Sequence, residues 1–255
     1  MLSKILGYSV KRGIRSGLLH LLHLFNYALP PSRLHIDIAH ECNLHCFMCP
    51  HKQMETEKKY LSLEQFKYIL DQFPKVRAIT LQGCGETLLN PDLADMLNLD
   101  QCRNIDFTIV TNGTLLNESK INKLKNVSSI TVSIDSPNPE KYKEIRGAKL
   151  EVVINNLKRL RKLKPDVRLS IQAIIMKETI ESIPQLIDLA QNVDAEEVRL
   201  LHLEGFNEKL EKKHAHKLDS VMNILEKTKK MAKMSNIMLE TPPLYSALLN
   251  FLEPF

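Results

Sequence analysis

From residue 33 onward the chain alternates short runs rich in β-branched and aliphatic residues with longer runs of helical periodicity, and few folds accommodate that order. The strand-like runs are "RLHIDIA" (33–39), "VRAITLQG" (76–83), "IDFTIVTNG" (105–113), "SSITVSIDS" (128–136), "VRLSIQAIIM" (167–176) and "EEVRLLHLE" (196–204). Helical patterns follow them over 62–73, from Pro91 for a short stretch, and over 117–125, 138–145, 150–163, 181–192 and 208–233. The first, "SLEQFKYILDQF", opens with Ser62 and Gln65 spaced as a capping box and sets Leu63, Phe66, Leu70 and Phe73 on one face. Strands separated by helices of ten or more residues pair in parallel through right-handed crossovers. The pattern predicts an α/β fold, a partial (β/α)6 TIM-like barrel of parallel strands rather than a closed barrel of eight units. A chain of 255 residues is long enough for one such core.

Charge is distributed unevenly. Residues 1–33 hold Lys4, Lys11, Arg12, Arg15 and Arg33 and no acid, which accounts for the whole net charge of +5. The rest of the chain is neutral, so nucleic acid is not an expected partner. Within that basic leader Leu2, Ile5, Leu6, Ile14, Leu18, Leu21, Leu22 and Phe25 recur at roughly helical spacing until Pro30 and Pro31. Residues 1–31 therefore read as a basic amphipathic helical extension packed on the outside of the fold. Weak membrane contact through residues 1–33 is the second reading. Residues 32–240 form the barrel domain, and 241–255, "TPPLYSALLNFLEPF", a proline-broken apolar segment placed to close over one end of the sheet. No run of 18 apolar residues and no secretory cleavage pattern occurs. The expected compartment is the cytoplasm, with the periphery of a membrane as the alternative.

Three of the five cysteines stand within eight positions of "AHECNLHCFMCPHKQ" (39–53), as Cys42, Cys46 and Cys49. An odd number of cysteines, crowded together, suits a metal or catalytic site in a reduced compartment better than a disulfide framework. The loop follows the first strand, and in parallel α/β folds chemistry gathers at the carboxyl ends of strands. Two metal centres fit the residues. Zinc takes four donors, which three cysteines and one of His40, His45 or His51 would supply. An iron–sulfur cubane also takes four, and with three cysteines one iron stays open to another ligand.

Beyond the loop, "GCGETLLNPDL" (83–93), "TNGTLL" (111–116) and "VSIDSPNPEKYKEIRG" (132–147) end the second, third and fourth strands. Together with "CNLHCFMC", these four stretches resemble the radical S-adenosylmethionine (SAM) superfamily in identity and order. The resemblance covers residues 34 to about 204. It is strongest to members with a further cysteine-rich C-terminal (SPASM) domain for auxiliary clusters, a domain that would begin where this chain ends and that is absent from it. It implies that Cys42, Cys46 and Cys49 ligate three irons of one [4Fe–4S] cluster while SAM chelates the fourth. It further implies reductive cleavage of SAM to a 5′-deoxyadenosyl radical, hydrogen abstraction from an unidentified substrate (a peptide or a small molecule), and an electron donor such as flavodoxin or ferredoxin.

On the same resemblance, Gly85 and Glu86 meet the methionine end of SAM, Ser133 and Asp135 its ribose, Met48 its adenine, and Asn112 touches it as well. Each has a plainer reading: a turn with a solvated acid, a polar pair at a strand end, an Asn-Gly turn. Four positions depart from the family pattern, namely Met48 where an aromatic is common, Cys84, Thr87 and Ser136, and Cys84 reads as a buried small residue. Gln172, His202 and Glu204 are polar positions on apolar strands and would reach SAM or substrate if they point inward. His214 and His216 belong to a solvated helix face. A zinc-stabilised non-catalytic domain and a membrane-surface scaffold remain the alternative functions at this stage.

Overall fold

The computed structural model describes residues 30–49, 51, 59–203 and 218–242. These residues form one seven-stranded sheet in the simple order β1-β2-β3-β4-β5-β6-β7, with every neighbouring pair parallel. The strands are β1 (Arg33–Asp37), β2 (Ala78–Gln82), β3 (Asp106–Thr111), β4 (Val127–Ser133), β5 (Arg168–Ile175), β6 (Glu197–His202) and β7 (Met238–Glu240). Between them run α1 (Leu63–Gln72), α2 (Leu93–Leu97), α3 (Glu118–Lys123), α4 (Pro139–Arg146), α5 (Leu150–Leu163), α6 (Gln185–Asn192) and α7 (Leu218–Met234). Five strands fall inside the expected runs, and β4 begins one residue ahead of its run, at Val127. The seventh extends the partial barrel by a three-residue strand paired with Glu197–Arg199, too short for alternation to reveal it. The N-terminal helical pattern, Glu204, His214, His216 and the tail from residue 243 lie outside the described residues.

Each crossover adds its strand on the same side of the last one. Crossovers of a single hand then carry all the helices to one face of the sheet, and the other face is left to enclose a lumen. The strands record this division. Ile36, Ile79, Leu81, Phe107, Ile109, Ile130, Val132, Leu169, Ile171, Val198 and Leu200 are buried in the core shared with the helices. The alternate positions include His35, Asp37, Thr80, Gln82, Thr108, Thr131, Ser133, Ser170, Gln172, Glu197 and Arg199. A parallel sheet covered on both faces would read as continuous hydrophobic runs. The period-two pattern of these strands therefore belongs to a sheet with one polar face.

Local signals set the helix ends. Ser62 Oγ accepts from Gln65 N at 3.2 Å while Gln65 Oε1 accepts from Ser62 N at 2.9 Å, completing the predicted capping box of α1. On α4, Asn138 caps the start through Lys141 N at 2.9 Å, Pro139 occupies the first turn, and Gly147 ends the helix at φ 76°. That last stop decides where Arg146 sits.

Candidate active site at the carboxyl ends of the strands

The cysteine loop leaves β1 and is tied to each of the next three strand ends. Gly85 N and Glu86 N, after β2, donate to Ala39 O and Glu41 O at 2.8 and 2.7 Å. Asn112 Nδ2, after β3, donates to Asn43 Oδ1 at 2.9 Å, and Asn43 Nδ2 donates to Thr114 Oγ1 at 2.9 Å. Phe47 N donates to Ile145 O at the end of α4 at 3.0 Å. Asn90 Nδ2 completes the anchoring from below, donating to Ile38 O at 2.7 Å and Leu61 O at 3.0 Å. The loop is thus fixed by partners distant in sequence and needs little regular structure of its own.

A cavity of about 820 Å³ opens over these strand ends, and Cys42, Cys46, Cys49, Met48, Gly85, Glu86, Asn112 and Ser133 all line it. Such a volume is typical of a site for a small molecule or cofactor. Gln172 and His202 line it too, as do Cys84 and, from chain motifs to which no role had been attached, His35, Asp37, Gln82 and Arg146. Cys84 is only partly buried and faces the cavity, so the expectation of a buried filler is corrected. His202 is exposed rather than a core histidine. Met48 is 7% exposed and packs with Cys46, Ile145, Met176 and Leu203.

Two expectations change in detail. Asp135 does not face the cavity with Ser133. It is fully buried, its Oδ2 accepting from Arg146 Nε at 2.7 Å and its Oδ1 from Ile174 N at 2.9 Å. The strand ends at Ser133, so the i, i+2 rule no longer places residue 135 on the same side. Gly85 is needed for approach to the loop, since a Cβ there would stand 2.4 Å from both Ala39 O and Glu41 O. Glu86, 2% exposed, is no solvated acid. Its Oε1 accepts from Leu88 N at 3.1 Å and Thr111 Oγ1 at 2.5 Å, its Oε2 from Asn112 N at 2.7 Å. Burial pushes its carboxyl up, opposed first by the Asn112 N–H and then by Thr111, Leu88 and Lys120. A carboxylate has about four lone-pair sites, so Oε2 keeps one for a donor in the cavity.

Glu86→Gln should therefore lose about 2 kcal/mol of stability, because an amide NH2 at either oxygen faces a donor that then goes unpaired. Urea unfolding measures the loss directly.

The thiols distinguish the two metal readings. Zinc requires its donors about 2.0–2.3 Å from one point. Among the described residues no group of three or more His, Cys, Asp or Glu side chains converges in that way. Two of the three histidines face other partners, with the His51 ring against His40 O and His40 Nε2 3.4 Å from Asp37 Oδ2, while His45 is exposed. A cubane asks instead for one thiolate at each of three corners, around a shared space. Three thiols line one cavity, and two of them already face N–H donors. Leu44 N lies 3.4 Å from Cys42 Sγ and Arg146 Nη1 4.0 Å from Cys46 Sγ. Burial pushes the Cys46 thiol up to about 11, against the pull of Arg146.

A sequence model of the Radical SAM superfamily matches residues 36–190, more than half of the chain. The chain belongs to the radical SAM superfamily. With the family come its cofactors, a [4Fe–4S] cluster carried on three cysteines and SAM. A probable GTP 3′,8-cyclase of Methanocaldococcus jannaschii is 31% identical over 172 residues, covering 64% of this chain and 56% of that relative. The tungsten-containing aldehyde ferredoxin oxidoreductase cofactor-modifying protein of Pyrococcus furiosus is 26% identical over 181 residues, or 67% of this chain and 51% of its own length. This radical SAM chain thus spans a little over half the length of these relatives. Streptococcus suis SuiB bound to S-adenosylmethionine shares the fold, with a TM-score of 0.75 at 20% identity over 97% of this chain and 59% of that one. Among the described residues, no helix is long and apolar enough to cross a membrane.

Proposed function

We infer that residues 32–240 of this chain act as a SAM-cleaving radical domain, with Cys42, Cys46 and Cys49 as the three protein ligands of the cluster. The observation that carries this reading is that the three thiols, the Gly85-Glu86 turn, Asn112 and Ser133 all line one cavity. When bound, cluster and SAM supply a one-electron cleavage that yields methionine and a 5′-deoxyadenosyl radical able to take a hydrogen atom from substrate. The chain's own residues bind and orient. The free lone pair of Glu86 accepts from the ammonium group of SAM, the Ser133 hydroxyl meets a ribose oxygen, and Met48 lies against the adenine. Asn112 holds Asn43 in place and so keeps the cysteine loop over the site. The electron comes from a donor of the flavodoxin or ferredoxin class, in a cytoplasmic setting that keeps the cysteines reduced.

Beyond the SAM-side residues the cavity is lined by the hydrogen-bonding groups His35, Gln82 and Gln172, with Asp37 beside them. Among the described lining residues Arg146 is the only Arg or Lys, and Asp135 already pairs with it. A nucleoside triphosphate asks for several such cations. A polar peptide or small molecule is the substrate class proposed for this lining.

The test is anaerobic reconstitution with iron and sulfide, followed by SAM and dithionite, with and without GTP. Formation of 5′-deoxyadenosine, unaffected by GTP, is the expected result. Stoichiometric zinc with no SAM binding would sink the reading, and a GTP-derived product would overturn the substrate class alone.

A further inference from the structure

We propose that Arg146 is a positioning residue whose guanidinium, oriented by Asp135, holds a fixed positive charge against Cys46 and raises the reduction potential of the cluster bound there. The inference rests on the cluster reading above and adds to it a determinant of how readily the site accepts an electron.

The geometry is specific. Helix α4 stops at Gly147, and the carbonyl of Ile145 takes Phe47 N at 3.0 Å, so the helix end is docked on the cysteine loop. Arg146 projects from that end with its side chain 10% exposed. Its Nε is committed to Asp135 Oδ2 at 2.7 Å, and Asp135, 0% exposed, is itself fixed by Ile174 N at 2.9 Å. The planar fork then has one orientation, which leaves Nη1 at 4.0 Å from Cys46 Sγ and on the cavity wall. Lysine, a single point charge on a flexible stem, cannot satisfy both partners at once.

The electrostatics gives this placement a consequence. A buried ion pair is poor value as a stabilising device, because two desolvation penalties offset most of the attraction. The carbonyls of a helix end also present negative charge, and Arg146's own carbonyl oxygen lies 3.9 Å from Cys46 Sγ. Three thiolates add to that excess, and reduction by one electron adds one more negative charge with no proton to compensate. In a site of low dielectric a cation beside a ligand sulfur stabilises the reduced state more than the oxidised one.

The experiment is an EPR-monitored redox titration of reconstituted protein at fixed pH, without SAM, using dithionite. Arg146→Gln is expected to keep its iron and sulfide content and to titrate at a more negative potential than wild type, with Arg146→Lys between them. If the single variant fails to load because Asp135 is left as an orphaned buried charge, the double variant Arg146→Gln/Asp135→Asn removes both charges and is expected to shift in the same direction. A loaded variant at the wild-type potential overturns this inference and leaves the cluster reading standing. A wild-type protein that assembles no cluster overturns both.

Discussion

Alanine at any one of positions 42, 46 or 49 is expected to take the protein from full cluster occupancy to background iron and sulfide, with 5′-deoxyadenosine formation lost outright. In the proposed site each cysteine would hold a different corner, so no neighbour could substitute for it, and two of the three sulfurs already have N–H partners that fit a thiolate. The controls make the result specific. His45→Ala and His51→Ala should retain the cluster, because His45 is exposed and the His51 ring is turned to the carbonyl of His40. Cys84→Ala should retain it as well. Cys84 lines the same cavity, and a loss of cluster on its removal would mean a fourth protein ligand and no open iron for SAM. Iron and acid-labile sulfide assays on anaerobically reconstituted protein distinguish these cases.

Gly85→Ala is the second change with a large expected effect, about 3 kcal/mol in urea unfolding. The added methyl would meet two backbone oxygens at 2.4 Å, and neither belongs to a side chain that can rotate away. Those oxygens, of Ala39 and Glu41, are the acceptors for Gly85 N and Glu86 N, so relief of the clash also breaks the seam between the cysteine loop and the turn after β2. Cluster loading should fall along with stability. Gly147→Ala offers the contrast: at φ +76° with nothing within 4 Å of its Cβ, it should cost about 1 kcal/mol of backbone strain and leave the site intact.

Much of this architecture was legible in the sequence for identifiable reasons. Six strands could be read because apolar and polar positions alternate, and they alternate because one face of the sheet is buried under helices while the other lines a lumen. Glu86, Asn112 and Ser133 could be placed at strand ends because motif and strand pattern agreed. Asp135 could not be assigned correctly, since its orientation is set by Arg146 and by Ile174 N from the neighbouring strand after β4 has ended. Arg146 stood in a quoted motif without a role, because a distance of 100 residues separates it from Cys46 in the chain. Gly85 carries a constraint its motif did not reveal, since it comes from two carbonyls, of Ala39 and Glu41, in a loop much earlier in the chain. β7 has too few residues for any periodicity.

The bracing of the cysteine loop also bears on distant substitutions. Its partners belong to the turn after β2, the end of β3 and the end of α4, so the placement of the sulfurs depends on all four of the first βα units. In zinc-finger peptides the metal itself drives folding. Here the positions of the sulfurs depend on contacts reaching across the first four strands, so a substitution at any of those contacts also reaches the cysteine loop.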